Sequence, residues 1–261
     1  MYRTLPTERV SVVIPVRDDY DYLERCLDAL AMQTYAPFEI IVVDNDSSDR
    51  SSALAASRGA FVVRESEIGI PAASATGYDA TSGDIIARLD ADSVPGVTWV
   101  ASVCDAFAQH THAAAITGGG MLMDDDGTPH RRGSRFYMGA YFRLVGLALG
   151  HPPLFGSALA MRRAAWIDVR HDVCRHDQRV HDDMDLSIHL GPERPIVVDR
   201  SLSVPVSSRP LTLDGSAVTR FTRGLYTIVR HWPREFPLAR MVRHARVQRS
   251  LVSRESTSVP V

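Results

Sequence analysis

Short β-branched runs alternate with helically spaced segments along the first 110 residues, and few folds accommodate that alternation. Val10 to Val16 is one such run, and Asp19 to Gln33 follows with Leu23, Cys26, Leu27 and Leu30 at helical spacing. Phe38 to Val43 is a second run, Ser52 to Arg58 a short helix, Ala60 to Val63 a third strand and Asp84 to Leu89 a fourth. Trp99 to His110 then reads as a helix. Strands linked by crossover helices predict an α/β chain with a Rossmann-like, mostly parallel sheet.

Sheets of this kind bind ligands beyond the carboxyl ends of their strands, so the residues ending each run are where chemistry gathers. Pro15-Val16-Arg17-Asp18 follows the first strand, Asp44-Asn45-Asp46-Ser47-Ser48-Asp49 the second, and Asp90-Ala91-Asp92 the fourth. Three strand ends therefore turn carboxylates or Arg toward one crevice. Asp90 and Asp92, two apart in one loop, suit a hard divalent cation that completes its shell with diphosphate oxygens; the competing reading is a solvated turn or helix cap. Asp44 is placed to accept from a base N–H or a ribose hydroxyl, and Arg17 to meet phosphate.

The second half is less regular. Gly118-Gly119-Gly120 and Asp124-Asp125-Asp126-Gly127 read as turns, Phe136 to Leu149 as a helix, Gly156 to Trp166 as strand and turn, and Asp182 to Leu190 as an Asp-capped helix. Arg220 to Ser250 is a basic helical stretch, with a loose tail from Ser253. Residues 1–120 thus read as one half of a domain, 121–220 as its less regular second half, and 221–261 as a C-terminal extension. His181-Asp182-Asp183-Met184-Asp185-Leu186 crowds three acids and a His; such acids raise one another's pKa, and a carboxylate near neutrality can deprotonate a hydroxyl. The helix dipole accounts for one or two of these acids, not all three.

Composition closes other routes. A net charge of -2 removes the electrostatic case for nucleic acid. All 29 basic residues are Arg, a pattern that coding bias explains as well as phosphate recognition does. Three distant cysteines signal neither a disulfide framework nor a zinc motif and fit a reducing cytoplasm. Met1 to Arg9 carries no apolar signal core, and no run approaches the roughly 20 apolar residues of a membrane span. Phe136, Tyr137, Tyr141, Phe142, Leu144, Leu147 and Leu149, beside Arg131, Arg132, Arg135 and Arg143, read first as a core helix. The second reading is a peripheral contact with the inner membrane face or a lipid-linked acceptor.

Taken in order, Val12-Val13-Ile14-Pro15-Val16-Arg17, Ile41-Val42-Val43-Asp44-Asn45-Asp46-Ser47-Ser48-Asp49 and Gly83-Asp84-Ile85-Ile86-Ala87-Arg88-Leu89-Asp90-Ala91-Asp92 resemble family 2 glycosyltransferases of the GT-A fold. The likeness continues through Gly156-Ser157-Ala158-Leu159-Ala160-Met161-Arg162-Arg163 to Asp182-Asp183-Met184-Asp185-Leu186. It implies an inverting transfer from a nucleoside diphosphate sugar to a small-molecule, glycan or lipid-linked acceptor, assisted by Mn or Mg, with a nucleotide-sugar-binding role for residues 1–120 and an acceptor-binding role for 121–220. Under the resemblance Pro15, Val16, Arg17, Asp44, Asp90 and Ala91 serve the donor, and Asp92 with Asp90 the metal. Asp183 is the base beside Asp182, and Gly156, Ser157 and Trp166 face the acceptor. Ala73-Ser74-Ala75-Thr76-Gly77 departs from the family, which often carries Arg there. No Gln-x-x-Arg-Trp follows the base, which argues against a processive synthase. Ser207-Ser208-Arg209 with Arg220 and Arg223 could supply a further diphosphate contact. Two alternatives remain: a non-catalytic module that binds a nucleotide or partner, and a sugar-phosphate nucleotidyltransferase, which would want a Lys-bearing glycine-rich signature.

Overall fold

The apolar runs become strands because both faces of the sheet they form are covered. A computed structural model describes residues 8–124, 128–208, 216–232 and 235–257. Strands β1 (Val10–Val16), β2 (Glu39–Asp44), β3 (Phe61–Arg64) and β4 (Ile85–Arg88) are joined by helices α1 (Tyr20–Ala31), α2 (Ser51–Ser57) and α3 (Ile70–Asp79). Helix α4 (Trp99–Gln109) leads to β5 (Ala115–Thr117), β6 (Gly120–Met123) and the long α5 (Arg131–Leu149). A 3₁₀ turn at Gly156–Ala158 precedes β7 (Leu159–Arg162), α6 (Arg163–Val169), α7 (Asp182–Leu190), β8 (Ile196–Val198) and β9 (Val204–Ser207). Helices α8 (Ser216–His231) and α9 (Pro237–Thr257) follow.

The main sheet has seven strands in the order β3-β2-β1-β4-β7-β5-β8, and β6 pairs with β9 in a small second sheet. It is mostly parallel, as expected; β7 alone runs against its neighbours β4 and β5. Val10, Val12, Ile14 and Val16 point into one core with Val42, while Val13, Ile41 and Val43 point into the other. Burial on both faces explains why these strands read as unbroken apolar runs rather than alternating ones. Leu23, Cys26, Leu27 and Leu30 of α1 are buried as their spacing predicts.

Helix α3 is not visible as periodicity, because Ala73, Ser74, Ala75, Thr76 and Gly77 are uniformly small. Small residues are what its position demands: a Cβ on Gly77 would stand 2.4 Å from Val13 Cγ1 and 2.8 Å from Val43 Cγ2. The helix therefore lies against β1 and β2 at a distance no larger residue permits.

Several expectations need correction. Helix α7 is not Asp-capped: His181 is its N-cap, without a side-chain capping bond, and Asp182, Asp183 and Asp185 occupy the first turn. The C-terminal basic stretch is two helices, and Ser253 to Thr257, expected to be loose, continue α9. Of the acidic turn, Asp124 is seen paired with His130 at 2.8 Å, whereas residues 125–127 lie outside the described residues. Helix α5 divides its apolar residues. Leu149 is buried and the Tyr141 hydroxyl donates to the Leu154 carbonyl at 2.6 Å, yet Phe136, Leu144 and Leu147 are exposed.

Arg240 of α9 fastens the C-terminal extension. Fully buried, its guanidinium donates to the carbonyls of Leu149 (2.6 Å), Ile188 (3.0 Å) and Gly191 (3.0 Å), and to His151 Nε2 (2.7 Å). Those carbonyls end α5 and α7, where a cation complements the helix dipoles. Glu235 supplies the opposite charge at 2.6 Å.

Candidate functional site

In-register pairing brings the strand ends together. Val16 lies opposite Asp44, so the carboxyl ends of β1 and β2 open at one level. Asp18 and Asp46, both in left-handed backbone at φ 53° and 59°, sit in the loops that follow. Asp18 Oδ1 accepts from Ser48 N at 2.6 Å, Ser48 Oγ at 2.9 Å and Asp49 N at 3.2 Å, tying the first loop to the second. Those hydrogen bonds, the Ser48 amide foremost, hold its carboxyl below the usual range. Non-glycine residues held at positive φ by their surroundings cluster where geometry matters for binding.

Asp44 is buried at the end of β2, and its Oδ1 accepts the Ser47 amide at 3.0 Å. Beside it Asn45 is a fastener: its amide donates to the Glu65 and Glu67 carbonyls at 3.0 and 2.7 Å and accepts from Gly69 N at 2.8 Å. Pro15 and Val16 belong to β1, and Arg17 is exposed beyond it.

Strand β4 ends in Arg88, and this side chain organises the rest. It is 3% exposed, donates to Asp90 Oδ1 at 2.8 Å and contacts Asp182 Oδ2 of α7 in a short ion pair. Burial disfavours the guanidinium charge, but Asp182 and the neighbouring acids outweigh it and raise its pKa well above the ordinary value. Asp90 Oδ2 accepts from Ser157 Oγ at 2.5 Å, and Asp182 Oδ2 accepts from Ser74 Oγ at 3.0 Å. Both oxygens of Asp90 are thus engaged, Ala91 is buried, and half-buried Asp92 stands two residues on.

Asp183 lies one residue beyond Asp182, 4% exposed, with Oδ2 accepting the Gly156 amide at 2.8 Å and Oδ1 facing His181 Nδ1 at 2.6 Å. Burial acts to raise its pKa, as the crowding of acids was expected to do. The balance runs the other way, because His181, Arg88 and the Gly156 amide together favour the carboxylate and hold Asp183 below its usual range. His181 is correspondingly raised: burial opposes its charge, and Asp183 prevails. Ser187 Oγ donates to the Asp183 carbonyl at 2.6 Å and accepts the Leu154 amide at 2.8 Å, which fixes α7 against the 154–156 segment. Helix α8 adds Thr227 Oγ1, which accepts from His181 N at 2.7 Å.

The structure therefore brings Asp90, Gly156, Ser157, Asp182 and Asp183 into one network around Arg88. Asp44 and Arg17 lie outside this network, at the neighbouring ends of β2 and β1. Trp166 is in neither: it is 2% exposed, packs edge-on against Tyr78 at 5.0 Å between ring centres, and donates its indole N–H to Asp79 at 2.9 Å. Its place is the core behind α3. Arg209 lies outside the described residues, and Ser208 Oγ donates to Asp124 at 2.9 Å. Arg220 is close enough to His181 to oppose its charge. Sequence reasoning missed Arg88 as a site residue; a lone Arg inside the apolar run Ile85-Ile86-Ala87 was the available signal, since a buried charge requires a partner.

A divalent cation suits the strand end. Its donors are carboxylate oxygens, Asp90 is held rigid by Arg88 and Ser157, and a hard ion needs one or two such ligands when diphosphate completes its shell. Among the described residues Asp90 and Asp92 belong to no group of three or more ligating side chains, so the substrate would have to supply the remainder.

Comparison with known proteins identifies the family and the fold. The family model described as glycosyl transferase family 2 matches residues 11–169. The glycosyltransferase AglE of Haloferax volcanii is 35% identical over 38% of this chain and 35% of its own length. An undecaprenyl-phosphate 4-deoxy-4-formamido-L-arabinose transferase of Serratia proteamaculans is 37% identical over 35% of this chain and 31% of its own. The chain thus spans about a third of these relatives' lengths. Among solved structures, a mannosyltransferase of Pyrobaculum calidifontis in complex with GDP-Man and Mn2+ aligns at TM-score 0.65 and 17% identity, covering 98% of this chain and 78% of that one. Glucosyl-3-phosphoglycerate synthase of Mycobacterium tuberculosis, with Mn2+, UDP and glucosyl-3-phosphoglycerate, aligns at 0.54 and 18% identity, covering 86% and 80%. These neighbours have the GT-A fold, and at such identities they speak for the fold alone.

Proposed function

This chain belongs to glycosyl transferase family 2, and from that premise we propose that it moves a sugar from a nucleoside diphosphate sugar to an acceptor hydroxyl with inversion. One observation carries the reading: Arg88 joins Asp90, at the end of a donor-side strand, to Asp182, next to the base candidate Asp183. Donor and acceptor chemistry are thereby held in fixed relation by a single buried side chain.

Asp44 and Arg17 are assigned to the nucleotide, with Pro15, Val16 and Ala91 shaping the donor crevice. Asp92, supported by Asp90, would hold Mn2+ or Mg2+; bound there, the ion neutralises charge developing on the departing diphosphate. Asp183 receives the proton of the acceptor hydroxyl; its Oδ2 accepts the Gly156 amide and its Oδ1 faces His181. The acceptor oxygen then bonds to the anomeric carbon from the face opposite the breaking bond to the diphosphate oxygen, and one displacement inverts the centre. His181 stabilises the Asp183 carboxylate before the transfer and orients it.

A second assignment has His181 as the base and Asp183 as its orienting partner. Greater exposure of the His181 side chain, 25% against 5% for Asp183, favours it. The raised pKa of His181 opposes it, because an imidazolium has no lone pair to offer. A pH–rate profile separates the two: the rate should fall on the acid side below the ordinary carboxylate range if Asp183 is the base, and already above the ordinary histidine value if His181 is.

We assign the acceptor to the lipid-linked class. Exposed Phe136, Leu144 and Leu147 of α5 and Val218, Phe221, Leu225 and Val229 of α8 give apolar faces, and Arg131, Arg132, Arg135 and Arg143 lie on α5. No helix among the described residues is long and apolar enough to cross a membrane, so contact would be at the interface. Flotation with anionic vesicles checks this: the chain should rise with them, and recovery entirely in the pellet fraction would refute it.

The test of the activity is a panel of nucleotide sugars screened with Mn2+ for release of nucleoside diphosphate. Metal-dependent release with an acceptor supports transfer; saturable binding without release would identify a non-catalytic module instead.

A further inference from the structure

We propose that Cys174, Asp185, His189 and His231 form a zinc site, separate from the donor cation, that staples α8 to α7. One ligand atom from each lies within 4.8 Å of the others. They come from three segments: Cys174 precedes α7, Asp185 and His189 stand one turn apart on it, and His231 is the last residue of α8. Their spacing in sequence resembles no zinc motif; only the fold assembles them.

The local geometry already converges on one point. His231 Nε2 lies 2.9 Å from Asp185 Oδ1, and His189 Nε2 lies 3.6 Å from the same oxygen. The Cys174 amide donates to Asp185 Oδ2 at 2.7 Å, which places the Cys174 side chain beside the carboxylate. The two imidazole rings meet edge to face, 5.1 Å between centres at 82°. His189 Nε2 is buried and has no hydrogen-bond partner. An imidazole nitrogen removed from water without a partner is destabilising, and a metal at this point would satisfy it.

Donor chemistry selects the ion. One sulfur, two imidazoles and one carboxylate suit Zn2+, which is four-coordinate with such ligands in structural sites; Mg2+ and Mn2+ prefer oxygen. Thiolate and carboxylate together balance the ion's charge. Arg230 Nε lies 3.3 Å from Cys174 Sγ. Tetrahedral bonds of the usual lengths separate ligand atoms by roughly 3.3–3.8 Å, so the cluster needs to close by about an ångström.

The consequence is mechanical. Helix α8 is amphipathic, leaves Val218, Phe221, Leu225 and Val229 exposed, and meets the start of α7 where Thr227 Oγ1 accepts from the His181 amide. A metal bound by both helices would keep α8 docked.

The experiment uses the full chain, stripped with chelator and reloaded with Zn2+ or Co2+. Expected are one zinc per chain, a melting temperature raised by zinc, and a cobalt spectrum with a thiolate charge-transfer band and tetrahedral d–d bands. Cys174→Ser and His189→Gln should each lower zinc affinity at least tenfold, whereas Asp92→Asn should bind zinc as the parent does. Substoichiometric zinc in the parent, or a spectrum without the thiolate band, would overturn the proposal. So would zinc retained at parental affinity by both variants. Should Cys174→Ser fail to fold, His189→Gln and the parent's cobalt spectrum decide the matter.

Discussion

Replacing Arg88 with Met removes the charge that joins the two sides of the site while keeping most of the side-chain bulk. The two ion pairs are unequal. The Arg88 and Asp182 side chains are 4% and 12% exposed, so their interaction is little screened, whereas Asp90, at 35%, is partly solvated and contributes only about 0–1 kcal/mol. Most of the cost therefore comes from leaving Asp182 largely buried with the Ser74 hydroxyl as its remaining hydrogen-bond donor among the described residues. Breaking a buried pair in this way costs about 3–5 kcal/mol, a large fraction of the roughly 5–15 kcal/mol that stabilises a domain. Urea unfolding followed by circular dichroism, with parent and variant fitted to a common slope, measures the loss. Adding Asp182→Asn to Arg88→Met should restore part of it, because the orphaned charge disappears, giving a coupling energy of about 1–3 kcal/mol in a double-mutant cycle. A loss below about 1 kcal/mol in the single variant, or strict additivity in the cycle, would refute the view that Arg88 and Asp182 act as one buried unit.

Three further outcomes follow from the same geometry. Asp92→Asn should abolish transfer and most metal-dependent donor binding with the melting temperature unchanged, and Asp90→Asn should be milder in activity; unchanged turnover of Asp92→Asn at low metal concentration would remove the metal from this loop. Asp44→Ala should raise the donor KM more than it lowers kcat, and equal affinity of parent and variant for free nucleoside diphosphate would reduce Asp44 to the turn-former its bond to Ser47 makes it. His151, buried against the Arg240 guanidinium, is pushed down to about 3, so the unfolded chain takes up a proton below about pH 6.5 that the folded chain refuses. Stability should fall with acid by up to about 1.4 kcal/mol per pH unit between roughly pH 5.5 and 4, where the raised His181 and His231 no longer titrate; His151→Gln should flatten that slope, and an unchanged slope would refute the assignment.

The strands of the first half were legible because their signals are local. A run such as Val10 to Val16, buried on both faces, announces a strand by composition. The network that unites the site was not, because Arg88 and Asp182 are 94 residues apart and nothing near either names the other. The direction of the Asp183 shift failed for the same reason: three acids in a row are visible in sequence, but the opposing Arg88 comes from another strand. Trp166 looked like acceptor surface because it follows the Gly156-Ser157 segment, and only the packing against Tyr78 assigns it to the core. The antiparallel insertion of β7 between β4 and β5 was equally hidden, since a period-two pattern says nothing about the direction of a neighbour.

The central claim, that Asp183 takes the acceptor's proton while the first half alone holds the donor, is tested most directly by measuring transfer rate and donor affinity together in Asp183→Asn. Asn preserves the side chain's size but cannot accept the proton. Transfer should fall by about a hundredfold to ten-thousandfold, the scale of general-base catalysis, with the donor dissociation constant nearly that of the parent and Asp182→Asn losing stability or modest activity instead. Full transfer by Asp183→Asn, or donor affinity lost in proportion to rate, would contradict it.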